Sequence, residues 1–177
     1  TRKESSAASD VYKRQVLDPP GCGVTYGVSR TRSASSMRLT YYGHSAFRIE
    51  AGSSTILVDP FLTGNRHFTG DVAEVAKGVT HIALTHGHSD HVGDTLEIAR
   101  QTDARVIGNF ELASWLAGKG VANVEPGNTG GTLRFDDFSV TFTQAFHSSG
   151  NVEEDGQVTY LGTVSYTHLT LPTTPYV

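Results

Sequence analysis

The seven residues Thr85 to His91, THGHSDH, bring three imidazoles and one carboxylate into a single short stretch. They continue the apolar run HIALT (81–85), which reads as a strand, and they precede a segment with helical spacing. In extended backbone His86 and His88 are two apart, so their side chains leave on the same side. Asp90 and His91 fall where a helix is expected to start, and the turn can swing them toward the same point. Imidazole nitrogen and carboxylate oxygen are the ligand types of zinc and related divalent ions. An imidazole ligand needs its other nitrogen held by a further partner. Asp59, at the end of the apolar stretch STILVD (54–59), is a plausible orienting group.

Outward from this cluster, RLTYY and AFRIEA alternate apolar and polar residues around Gly43-His44-Ser45, as two antiparallel strands would. STILVD reads as a more buried strand. DVAEVAKG predicts a short helix with Asp71 as N-cap and Gly78 as its stop. Asp90 to Thr102 carries Val92, Leu96, Ile98 and Ala99 at helical spacing. RVIG returns as a strand, and Asn109 caps a helix bearing Leu112, Trp115 and Leu116, which reads as packing. GTLRF and FSVTFTQAF read as strands joined at Asp136-Asp137, with His147 just beyond the second, and QVTYLG adds another. GNTGG (127–131) lacks the lysine and the strand-loop-helix setting of a phosphate loop, so it reads as a turn. His44 either meets substrate or pins the first turn. His67 and His81 read as surface and strand residues.

Composition narrows the classes. A length of 177 residues suits one domain. The formal charge of −4 argues against a nucleic-acid or anionic-membrane surface built on bulk charge. One cysteine, Cys22, allows no internal disulfide and no Cys-rich zinc module, so a cytoplasmic setting is the default. No apolar run reaches the roughly 20 residues of a membrane span.

The two ends stand apart. Ser5 to Gln15, SSAASDVYKRQ, can be written in codons whose reverse complement encodes VSYTHLTLPT, which is Val164 to Thr173. Both ends resemble a translated transposase adapter from sequencing-library preparation, and such segments are set aside from fold reasoning. The sole methionine is Met37, and residues 16–36 show neither strand nor helical periodicity. Residues 1–36 are therefore expected to be a non-native, disordered leader, 37–163 the native part, and 164–177 an adapter-derived tail. Within 37–163, eight basic residues face fifteen acids, a net charge of −7.

THGHSDH resembles the H-x-H-x-D-H signature of the metallo-β-lactamase superfamily. MRLTYYGHSAFRIE, TILVDPFLTGN and FHSSG are similar to a family of uncharacterised metal-dependent hydrolases within it, related to the L-ascorbate-6-phosphate lactonases. The resemblance implies an α/β fold of the α+β kind, a four-layer αββα sandwich with a metal site along one edge. It implies that His86, His88 and His147 bind a first metal, that Asp90 and His91 contribute to a second, and that Asp59 braces the site. It also implies two ions, zinc or else manganese or iron, about 3.5–4 Å apart. Their water would attack an ester, lactone, amide or phosphoester of a small-molecule substrate, with Asp90 as a proton acceptor.

The family site also needs a later bridging aspartate and a last histidine. Asp136, Asp137 and Asp155 lie too early, and His168 belongs to the tail set aside. The sandwich is therefore expected to be truncated at its C-terminal end, with an apolar face of its sheet left open. Three expectations follow: an inactive fragment of a binuclear hydrolase, a mononuclear metal-binding module without hydrolysis, or an unstable product.

Overall fold

The computed structural model describes residues 37–153, 155–162 and 165–170. The expected leader, residues 1–36, lies outside them, as do 163–164 and 171–177 of the chain's end.

Six strands form one mixed sheet in chain order: β1 (Arg38–Gly43), β2 (Ala46–Ala51), β3 (Ser54–Val58), β4 (His81–Ala83), β5 (Arg105–Asn109) and β6 (Val124–Gly127). The first three run antiparallel as a meander, because Gly43-His44-Ser45 and Gly52-Ser53 are tight turns. From β3 onward the pairs are parallel. A parallel pair needs a crossover, and helices supply it: α1 (Val72–Ala76) after β3, α2 (Ser89–Val92) and α3 (Thr95–Thr102) after β4, and α4 (Phe110–Gly118) after β5.

The caps are those the sequence predicts. The Asp71 carboxylate accepts from the Ala73 amide, and the Asn109 side chain accepts from the Leu112 amide. Such a cap stabilises a helix by about 1 kcal/mol. The expected helix over Asp90–Thr102 is instead two helices. It breaks at Gly93, whose φ of +43° is outside helical backbone, and only glycine fits there because a Cβ would collide with the Pro60 and Phe61 backbone. Beside the break the Asp94 carboxylate accepts from the Leu62 and Thr63 amides, fastening the loop after β3 to the start of α3.

Alternation along the strands separates two cores. Leu57, Ile82 and Val106 face the helices and pack with Val75, Ile98, Leu112 and Leu116. Ile49, Ile56, Ala83 and Ile107 face the other way, onto Phe138, Val140 and Phe142. Burying each such large side chain stabilises the fold by about 1.5–3 kcal/mol. The second core is closed by a three-stranded sheet of β7 (Thr132–Arg134), β8 (Ser139–Gln144) and β11 (Ser165–Thr170), in the order β11-β8-β7. A separate hairpin is made by β9 (Gly150–Val152) and β10 (Val158–Tyr160).

Three strands depart from the sequence expectation. Residues 165–170, set aside as adapter-derived, pair antiparallel with β8 from Ser165↔Gln144 to Thr170↔Ser139. SYTHLT is rich in Thr and Tyr, residue types that suit a strand beside an open edge. β6 and β9 were not expected as strands: VEPG and GNV are short, and Pro and Gly hide their character.

The described residues thus form helix, sheet and sheet layers, the α/β class that the resemblance implies. The implied second helical layer is not among them. At the sheet's β1 edge, Leu39 and Tyr41 sit opposite Ile49 and Phe47 on the inner face, yet they are 58% and 59% exposed.

Candidate metal centre

The loop after β4, the start of α2 and the loop after β8 meet at one end of the two sheets. One donor atom each from His86, His88 and His147 lies within 4.8 Å of the others. The rings stand edge to face, with centroids 4.7 Å apart for His86–His147 and 5.0 Å for His88–His147. His86 Nε2 is 3.0 Å from His88 Nδ1. Four donors placed tetrahedrally at about 2.1 Å from an ion stand about 3.4 Å apart. The three imidazoles therefore fit a divalent ion in both donor chemistry and spacing.

The other nitrogens of His86 and His88 are held. Thr85 Oγ1 donates to Asp59 Oδ2 at 2.6 Å, so its lone pair is left for His86 Nδ1 at 2.9 Å. That relay places the proton on Nδ1 and leaves the Nε2 lone pair facing the other imidazoles. Ser148 Oγ lies 3.1 Å from His88 Nε2. Burial, reinforced by the neighbouring histidines, pushes the His86 pKa down to about 3, so this imidazole is neutral at pH 7.

Asp59 is 1% exposed and carries the arrangement. Its carboxylate accepts from the Thr85 amide at 2.8 Å, from the Thr85 hydroxyl, and from His91 Nδ1 at 2.8 Å. With Nδ1 so engaged, His91 turns Nε2 outward. The Asp59 backbone sits at φ +43°, a left-handed conformation that its surroundings must enforce.

A second group adjoins the first, the His86 and His91 rings being 4.0 Å apart. Donor atoms of His44, Asp90 and His91 also lie within 4.8 Å of one another. His44 Nε2 is 3.2 Å from Asp90 Oδ2. Every expected site residue, Asp59, His86, His88, Asp90, His91 and His147, thus lies in this one region, and His44 joins them. His67 stays on the surface. His81 is a strand residue, its ring 4.8 Å from those of both Phe135 and Phe138. Asp137 serves the fold, accepting from Ser53 and Ser54 in the β2–β3 turn.

Sequence reasoning missed Thr85 and the two serines of FHSSG. Ser149, buried, accepts from the Gly87 amide at 3.1 Å and donates to the Leu161 carbonyl at 3.2 Å, so it ties the two histidine loops together. The available signal was a hydroxyl residue immediately beside each histidine. A cleft of about 440 Å³ opens against the donors, with Phe47, Val58 and Phe146 as apolar walls and Ser45, His86 and His91 among its polar ones.

Comparison with known proteins identifies the family. The metallo-beta-lactamase superfamily profile matches residues 39–175, and the chain belongs to that superfamily. It is 61% identical over 127 residues to a UPF0173 metal-dependent hydrolase of Agrobacterium fabrum, covering 71% of this chain and 54% of the relative. It is 56% identical over 127 residues, with the same coverage, to another from Rhizobium etli. The chain thus spans about half the length of the curated relatives it matches. Among solved structures, it is similar to Igni18, described as a novel metallo hydrolase, from Ignicoccus hospitalis. That match has a TM-score of 0.64 and 30% identity, covering 76% of this chain and 56% of that one. A possible metal-dependent hydrolase from Veillonella parvula shares the fold, with a TM-score of 0.58 at 18% identity, covering 78% of this chain and 59% of that one. Among the described residues no helix is long and apolar enough to cross a membrane.

Proposed function

We propose that this chain is part of a metal-dependent hydrolase in which His86, His88 and His147 hold a first divalent ion, zinc before manganese or iron. Asp90 and His91 serve a second. The observation that carries the reading is the convergence of three imidazole donors with the His86 tautomer set by the Thr85–Asp59 relay. A divalent ion held there supplies Lewis acidity that makes water nucleophilic near neutral pH. The chain's own residues orient and move protons. Asp59 keeps His86 and His91 in their tautomers, and the half-exposed Asp90 carboxylate serves as the proton acceptor, a role its exposure supports. The apolar walls of the cleft strip water from a small organic substrate, which we take to be an ester, lactone or phosphoester. The single cysteine suits a cytoplasmic setting.

Zinc titration of the chelator-treated chain, followed calorimetrically, tests the reading. The folded chain is expected to take up zinc at the three-histidine group, and His86→Ala to lose the uptake at that group. A folded chain that binds no zinc sinks the proposal. Generic ester and phosphodiester substrates are expected to show no turnover with these 177 residues, because the chain matches only 54% of its relatives' length. Uptake without turnover also suits a mononuclear binding module. Hydrolysis by a longer protein continuing the same frame would exclude that module.

A further inference from the structure

Within the reading above, on which this inference rests, we propose that His44 is a metal ligand. With Asp90 and His91 it completes a second divalent-ion site from residues of this chain alone. The resemblance gives that ion a later aspartate and a last histidine and assigns His44 nothing. Yet the β1–β2 turn brings the His44 ring against both Asp90 and His91. Its Nε2 is 3.2 Å from Asp90 Oδ2, and its ring centroid is 5.1 Å from that of His91.

The turn is built to hold it there. His44 sits at φ +53°, a conformation unfavourable for a side chain with a Cβ. Gly43, at φ +99°, makes the preceding step, and a Cβ there would overlap that of His67. The Tyr41 hydroxyl donates to the His44 carbonyl at 3.0 Å. Phe61 packs edge-on against the imidazole at 5.6 Å. An exposed His–Asp pair contributes little to stability and does not offset such a backbone. A ligand role gives the strain a purpose.

The donor chemistry agrees. Asp59 occupies His91 Nδ1, which leaves Nε2 for an ion. His44 and Asp90 are partly exposed, so an ion can enter from solvent. Two imidazoles and one carboxylate leave coordination positions open, a set that iron(II), manganese(II) and zinc all accept. The two groups are also chemically distinct: three imidazoles in the first, two imidazoles and a carboxylate in the second.

The test counts ions on the full 177-residue chain. Metal-free protein is loaded with excess Zn²⁺ and, separately, Mn²⁺. Unbound metal is removed by gel filtration, and what remains is measured by plasma mass spectrometry. Two ions per chain are expected for the wild type. His44→Gly and His44→Asn should each keep one; both residues accept left-handed backbone, so their metal-free melting temperatures should match the wild type's. The loss should exceed the roughly 10–100-fold drop in affinity that removing an outer partner causes. His86→Ala should also keep one ion, which the double variant His86→Ala/His44→Gly loses. Two ions in both His44 variants would overturn the ligand role. One ion that His86→Ala removes and His44→Gly leaves would overturn the second site while sparing the first. A folded chain with no ion would overturn both.

Discussion

The two donor groups share a wall but are built differently. In the first, His86 is 5% exposed and locked through Thr85 to a buried carboxylate, while His88 meets Ser148 and His147 closes the set from another loop. In the second, only His91 is locked; His44 and Asp90 stand at the rim and depend on a strained turn and a four-residue helix. The first group is held by the buried core and the second by local backbone. Among the described residues, Asp59 braces both.

The largest effect is therefore expected from Asp59. Replacing it with Ala leaves the Thr85 amide and hydroxyl and His91 Nδ1 without their shared acceptor. Each orphaned donor costs about 1–3 kcal/mol where water cannot reach it. Denaturant melts should show a loss of about 3 kcal/mol, and titrations a drop of about 10–100-fold in affinity at both groups. If only one group weakens, the two do not share a brace.

Thr85→Val separates the groups. It keeps the shape and the amide hydrogen bond to Asp59 but removes the hydroxyl between Asp59 and His86. The first ion should bind about 10–100-fold more weakly and the second as before. Equal weakening of both would mean that the relay does not set the His86 tautomer.

The smallest effect is expected at a distance. Glu153 docks the β9–β10 hairpin, which follows the His147 loop, onto α4. Its carboxylate accepts from Lys119 Nζ and Trp115 Nε1 at 2.8 Å and from Thr159 Oγ1 at 2.9 Å. Those donors, Lys119 first, hold its pKa down at about 2. A depressed carboxylate stabilises the docked state above its ordinary pKa, near 4.5, and loses that contribution as pH falls toward 2. Fluorescence of Trp115, the sole tryptophan, should change across that window, and Glu153→Gln should flatten the change. The substitution should loosen the first ion slightly and leave the second untouched. A fluorescence change that persists in Glu153→Gln would assign it to another group.

Much of this was legible in advance because it depends on neighbours in the chain. The side-by-side placement of His86 and His88 follows from strand geometry, and the Asp71 and Asn109 caps from local hydrogen bonding. The split at Gly93 was not legible: the backbone packed closely against that glycine is Pro60 and Phe61, on a different loop. Nor was the pairing of residues 165–170 with β8, which depends on an open strand edge.

The sequence by itself determined the kinds of donor, their spacing within THGHSDH and the period of each strand, since these are properties of consecutive residues. Tertiary structure alone decided that FHSSG closes on the THGHSDH loop through Ser148 and Ser149, and that Asp59 grips His86 by way of Thr85. It alone turned His44 toward Asp90. Those contacts join segments far apart in the chain, and only the packing of two sheets about a common core fixes the distance between them.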